Sequence, residues 1–172
     1  NNPAKDFDYG IVRNFTIAGG GGGCVVPGFK DENWRTVNVP HDWAVELPFE
    51  YHKHFDVQSH GYRPVGGFYP DNSIGWYRKH FTVDKDNQEK RFVLRFEGVY
   101  RDFKVWINNN YIGSTFSGYS ESSFDITDFI EFSKDNVIVV RVDASQYEGW
   151  FYEGAGIYRN VSLETLNPVH IP

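Results

Sequence analysis

The stretch Arg91–Ile112, RFVLRFEGVYRDFKVWINNNYI, decides the fold. Phe92, Leu94 and Phe96 recur at every second position against Arg95 and Glu97, which predicts a strand with one buried and one solvated face. Phe103, Val105 and Ile107 then alternate with Lys104, Trp106 and Asn108 in a second strand. Asn108, Asn109 and Asn110 tolerate a positive φ, and Tyr111 and Ile112 resume the apolar pattern, so this segment is expected to turn back as a β-hairpin.

Working outward, Trp76–Val83 puts Tyr77, Phe81 and Val83 with Lys79 on one face, and Trp76, Arg78, His80 and Thr82 on the other. One face of this strand is expected to be buried. Val137–Val142 is a near-continuous apolar strand, and Ile157, Arg159, Val161 and Leu163 share one face of the last full strand. Within Ser123–Phe132, Asp125 or Thr127 can cap one short helical turn, and no amphipathic helix of several turns occurs anywhere. Short strands with turn signals and no helical crossovers predict an all-β, antiparallel jelly-roll sandwich over residues 36–167. Residues 1–35 read as irregular, because the Gly19–Gly23 run is too costly in entropy for the interior of an element. Residues 168–172, PVHIP, read as the start of a linker or strand of a following domain.

The chain has 172 residues, the size of one domain, and its 15 Phe, 11 Tyr, 5 Trp and 17 Gly suit short strands joined by turns. A net charge of -6 with no basic run argues against a nucleic-acid partner. The longest apolar stretches fall far short of the ~20 residues that cross a bilayer as a helix, so no membrane span is expected. Cys24 is the only cysteine, which excludes an intrachain disulfide and any Cys-based zinc site or iron–sulfur cluster. No cofactor is expected and the cellular compartment stays open. With no methionine and no leader segment, the chain reads as processed or excised.

Four segments concentrate Trp or Tyr with Asp, Glu or His: Pro40–Trp43, Gly61–Tyr77, Tyr100–Asp102 and Tyr147–Tyr158. A sugar presents apolar C–H faces and a rim of hydroxyls, so its site needs an aromatic platform beside carboxylate or imidazole groups. The same aromatics can instead plug the ends of a sandwich. His41 and Asp42 are adjacent and point to opposite faces of an extended segment, which favours Asp42 bonding to loop backbone over an acid–base dyad. Glu148 and Glu153 are spaced without any indication of the ~5 to 9.5 Å carboxylate separation that glycoside hydrolysis requires. His52 and His54 form the only close histidine pair, and a solvated loop edge suits them better than a metal.

Taken together, WRTVNVPHDW (Trp34–Trp43), IGWYRKHF (Ile74–Phe81), RFEGVYRDFKVWIN (Arg95–Asn108), SFDITDFI (Ser123–Ile130) and EGWFYEGAGIYRNVSL (Glu148–Leu163) carry a resemblance. The chain resembles the N-terminal sugar-binding domain of glycoside hydrolase family 2, the β-galactosidase and β-glucuronidase family, and is closer to the β-galactosidase branch. The resemblance implies a galactose-binding-domain-like jelly roll. It also implies an immunoglobulin-like domain and a (β/α)8 barrel following in the same protein, the barrel holding both catalytic glutamates. No catalytic residue and no metal ligand is then expected in this chain, and its partners are those domains and a carbohydrate substrate. The pocket-edge candidates are Asp42, Trp150, Glu153, His41 and Trp76. Trp150 occupies the place where many β-galactosidase relatives have an arginine and glucuronidase relatives an aspartate. A strand with a Trp-Phe pair, usual in the family before the segment matching Asp6–Phe7, is absent. An independent carbohydrate-binding module and a purely structural packing domain are the competing readings.

Overall fold

The computed structural model describes residues 23–46, 49–51, 68–70, 74–144 and 154–169. Nine strands lie among them: β1 (Phe49–Tyr51), β2 (Phe68–Pro70), β3 (Ile74–Thr82), β4 (Arg91–Phe96), β5 (Phe103–Ile107), β6 (Asn110–Thr115), β7 (Ser122–Asp125), β8 (Asp135–Asp143) and β9 (Val161–Leu166). They form a four-stranded sheet in the order β3-β8-β5-β6, a three-stranded sheet in the order β7-β4-β9 and a small β1-β2 pair. Every pairing is antiparallel. The two larger sheets make the sandwich, and the only helical elements among the described residues are short 3-10 turns.

The alternation in Arg91–Phe96 does what its spacing requires: Phe92, Leu94 and Phe96 are buried while Arg91 is exposed. Across the sandwich they meet Phe103, Val105 and Ile107 of β5 and Val140 and Val142 of β8. Phe96, Phe103 and Phe124 form an aromatic cluster with ring centroids 5.2–6.1 Å apart. The hairpin turn forms at Asn108 and Asn109, with φ of 48° and 71°. Asn108 does more than turn. Its amide donates to Phe129 O and Asn136 Oδ1, and its Oδ1 accepts the Val137 N–H. Asn136 is fully buried and donates to Glu131 O and Lys134 O while accepting the Glu131 N–H. One buried and one half-buried amide thus stitch the hairpin to the corner before β8, with the polar groups of both side chains answered. Asp125 Oδ1 accepts the Thr127 N–H at the start of the Thr127–Phe129 turn.

Two expectations change. β3 has both faces covered near its start, because residues 23–34 cross the outer face of the four-stranded sheet. Cys24 and Val25, with Phe29 and Trp34, pack there on Trp76, Trp106, Val137 and Val139 as a second core. This also explains the apolar run of β8: alternate residues face the two cores, so neither face needs a polar set. The last strand begins at Val161 rather than Ile157, and Leu163 is 37% exposed, since β9 lies at the edge of its sheet. Ile157 is buried, as part of a separate segment described next.

Candidate functional site

Three segments meet at one end of the sandwich: residues 39–46, 98–102 and 154–158. The His41 N–H donates to Ile157 O (2.7 Å) and the Trp43 N–H to Ala155 O (3.0 Å). On the other side Tyr100 and Gly156 exchange two backbone bonds of 2.9 and 2.8 Å. Residues 155–157 are therefore held on both sides, as a strand is held inside a sheet. Asp42 closes the same seam with its side chain, since its Oδ1 accepts the N–H of both Ala44 and Ala155 at 2.9 Å. Charge-assisted bonds to backbone amides are among the stronger hydrogen bonds.

Trp43, 2% exposed, lies beneath this seam. A Cβ at Gly75 would come within 2.5 Å of its ring, and one at Gly156 within 3.0 Å of the ring and 2.5 Å of the Tyr77 hydroxyl. Gly156 has a φ of 118°, a backbone conformation that side chains disfavour, so glycine is required there twice over.

Tyr77 reaches the seam from β3. Its hydroxyl shares a 2.8 Å hydrogen bond with His41 Nδ1 and accepts the Ile157 N–H at 3.5 Å. Burial pushes this hydroxyl well above the usual tyrosine range, against the lowering effect of the Ile157 N–H, so it stays protonated at neutral pH. His41 Nε2 lies 3.0 Å from Arg35 Nη2 and 3.3 Å from Glu46 Oε1. Arg35 pairs with Glu46. Partial burial acts to raise the Glu46 carboxyl, but the Arg35 guanidinium and then His41 outweigh it and hold the group below its ordinary value. At the far side of the seam the Tyr158 hydroxyl donates to Gly118 O, and the Tyr100 ring meets Tyr119 edge-on at 5.6 Å.

The structure brings His41 and Asp42 together with residues 155–157, as part of the frame. The two do not bond to each other: His41 is engaged by Tyr77, Arg35 and Glu46, and Asp42 Oδ1 by two backbone amides. That arrangement is a brace rather than an acid–base pair. Trp76 is placed elsewhere. It is 1% exposed and stacks on Trp106 at 5.7 Å, so its ring offers no face to a sugar, because residues 23–34 cover the side of β3 on which it stands. Trp150, Glu153, Glu148, His52 and His54 lie outside the described residues.

Tyr77, Arg35, Glu46 and Gly156 were not singled out from the sequence. A signal exists for two of them, though not for the contacts they make: a Tyr among inward apolar residues asks for some hydrogen-bond partner, and a Gly between Ala155 and Ile157 marks close backbone approach. Among the described residues no group of three or more His, Cys, Asp or Glu side chains is placed to hold a metal. None of the described helices is long and apolar enough to cross a membrane. A cleft of about 720 Å³ opens between β3 and β9 beneath residues 31–39, with Trp34, Tyr77, Phe96 and Leu163 in its walls.

Comparison with known proteins agrees with this architecture. The family model described as glycosyl hydrolases family 2, sugar binding domain, matches residues 28–167. The chain is similar to the β-galactosidase BoGH2A of Bacteroides ovatus, 40% identical over 171 residues, covering 99% of this chain and 19% of that protein. It is also similar to a putative β-glucuronidase of Formosa agariphila, 38% identical over 141 residues, covering 81% of this chain and 13% of that one. Among solved structures, a β-glycosidase from Bacteroides vulgatus superposes with a TM-score of 0.73 at 38% identity, covering 91% of this chain and 19% of that chain. The chain thus spans about a fifth or less of the length of these relatives.

Proposed function

Because the chain belongs to the sugar-binding domain of glycosyl hydrolases family 2, we propose that it is the non-catalytic N-terminal domain of a β-glycoside hydrolase, shaping the substrate pocket and bracing the catalytic barrel. Terminal β-linked sugars are the substrates of that longer protein, and a β-galactoside is the first to test, since a relative named β-galactosidase is 40% identical across nearly the whole chain. The partners are the immunoglobulin-like and barrel domains of the same protein.

The observation that carries this reading is the seam. Residues 155–157 are hydrogen-bonded on both edges, pinned by Asp42 and by the Tyr77 hydroxyl, and seated on Trp43. The chain runs into this anchor directly from Trp150 and Glu153. In this reading Trp150 supplies a stacking face and Glu153 a hydrogen-bond acceptor at the pocket edge, while His41 and Asp42 fix the frame from which that edge projects. Trp76, buried against Trp106 and the segment at residues 23–34, is left out of this reading.

Substituting Trp150→Ala and Glu153→Gln in the longer protein tests the proposal. Both should raise KM for a nitrophenyl β-galactoside, by roughly tenfold for the loss of a stacking face worth ~1.4 kcal/mol. Unchanged KM in both, whatever their stability, would overturn the pocket role and leave only packing.

A further inference from the structure

Residues 23–34 lie across the outer face of the four-stranded sheet on an apolar patch, and a polar cluster fastens them there. Arg78 of β3, whose side chain is 1% exposed, donates to the carbonyls of Cys24, Val26 and Pro27, and through Nε to Asp31 Oδ2 at 2.8 Å. Two residues further along the same face of β3 stands His80. Its Nε2 lies 3.2 Å from the same Asp31 Oδ2, and its Nδ1 lies 2.6 Å from Asp135 Oδ2 at the start of β8. Both ring nitrogens thus face carboxylate oxygens, which can only accept. A neutral imidazole has one N–H, so its other nitrogen would present a lone pair to a carboxylate; only the imidazolium makes both bonds at once.

We propose that His80 is a protonation-dependent clasp, fastening the overlying segment 23–35 through Asp31 to the β3-β8 edge of the sheet through Asp135. The groups around it are arranged for that role. Asp31 approaches from the overlying segment, Asp135 from β8, and Arg78, on β3 itself, shares Asp31. The bond to Asp135 raises the His80 pKa, partial burial opposes it, and the bond to Asp31 and the two carboxylate charges add to the rise. Asp31 is lowered: burial acts to raise it, and Arg78 and His80 together outweigh that.

The signs follow. A histidine raised on folding contributes its full share of stability below the unfolded value of ~6.5 and loses it as pH rises through the higher folded value. A lowered carboxylate contributes above its unfolded value of ~3.9 and loses its share as pH falls through the lower folded value. The clasp is therefore fully closed between about pH 4 and about pH 6.5 and loosens as pH rises through the raised His80 value. The segment it holds leads straight into Arg35, which engages both Glu46 and His41, so the clasp also supports the outer side of the seam. The proposal does not depend on the sugar reading.

The test is an NMR titration of the His80 ring together with amide hydrogen exchange over residues 23–35, in the wild type and in His80→Gln and Asp135→Asn. His80 should titrate above ~6.5, and Asp135→Asn should lower that value. After correction for intrinsic exchange, amides of 23–35 in the wild type should be about two- to fivefold less protected at about pH 8.5 than at about pH 5.5, the scale of one partly exposed ion-pair cluster. In His80→Gln that difference should vanish. A His80 that titrates at or below its ordinary value, or equal protection of the wild type at both pH values, overturns the proposal. Should a variant fail to fold, the wild-type titration and exchange decide alone.

Discussion

Replacing Gly156 by alanine probes the seam at its tightest point. The new Cβ would sit 2.5 Å from the Tyr77 hydroxyl, 2.7 Å from His41 O and 3.0 Å from the Trp43 ring, and two of those three neighbours are a backbone atom and a buried ring with no room to retreat. Holding a non-glycine residue at a φ of 118° costs about 1–3 kcal/mol, and overpacking a filled site about another 1–3 kcal/mol. The sum, about 2–6 kcal/mol, is a large fraction of the ~5–15 kcal/mol that holds a domain together. For a chain of this size each kcal/mol lowers Tm by roughly 2–4 °C, so a fall of about 4–24 °C is expected. Thermal unfolding followed by near-ultraviolet circular dichroism measures it, with Gly28→Ala as the internal control, since a Cβ there meets nothing within 4 Å. Gly28→Ala should leave Tm within about 2 °C of the wild type. A Gly156→Ala protein as stable as the Gly28→Ala control would refute the reasoning, because the seam would then have slack the contacts do not show.

Three further outcomes follow from the same contacts. Asp42→Ala strips the acceptor from two backbone N–H groups and should lower stability by about 2–3 kcal/mol, read as a shifted urea midpoint with unchanged slope; a neutral result would mean that the Ala44 and Ala155 amides find other acceptors. Asn136→Ala removes four hydrogen bonds from a fully buried amide network and should cost about 2–4 kcal/mol by the same measurement, whereas a loss under ~0.5 kcal/mol would contradict its stitching role. Burial pushes the Cys24 thiol up to about 12, so it stays a protonated, covered thiol; an aromatic disulfide reagent at about pH 8 should label it only as fast as residues 23–34 open, and stoichiometric labelling within the mixing time would count against that cover.

The parts of the fold that were legible in the sequence are those governed by local periodicity. Phe92, Leu94 and Phe96 declare a half-buried strand on their own, and Asn108 and Asn109 declare the turn after β5, because period two and a tolerance for positive φ are properties of a few consecutive residues. Trp76 shows where that reasoning stops. Alternation assigns it a face, but whether that face is wet depends on Cys24, Val25 and Trp34 more than 40 residues away, in a segment with no periodicity to announce where it lies. Leu163 fails in the opposite sense, since an apolar residue on an edge strand is free to be exposed. At the seam, Pro40–Trp43 and residues 154–158, the described end of Tyr147–Tyr158, come together, and the expectation that Asp42 bonds to loop backbone matches its two amide contacts. The contacts of Tyr77, Arg35 and Glu46 were not legible: Tyr77 meets His41 across 36 residues of chain, and Arg35 and Glu46 meet it across six and five residues in an irregular segment that no periodicity describes.

The measurement that bears most directly on the central claim compares turnover of a nitrophenyl β-galactoside by this 172-residue chain alone and by the longer protein of which, in the proposed reading, it forms the N-terminal domain. The longer protein should hydrolyse the substrate and the chain alone should release no nitrophenol above the uncatalysed rate. Steady turnover by the isolated chain, abolished by a substitution within it, would contradict the account.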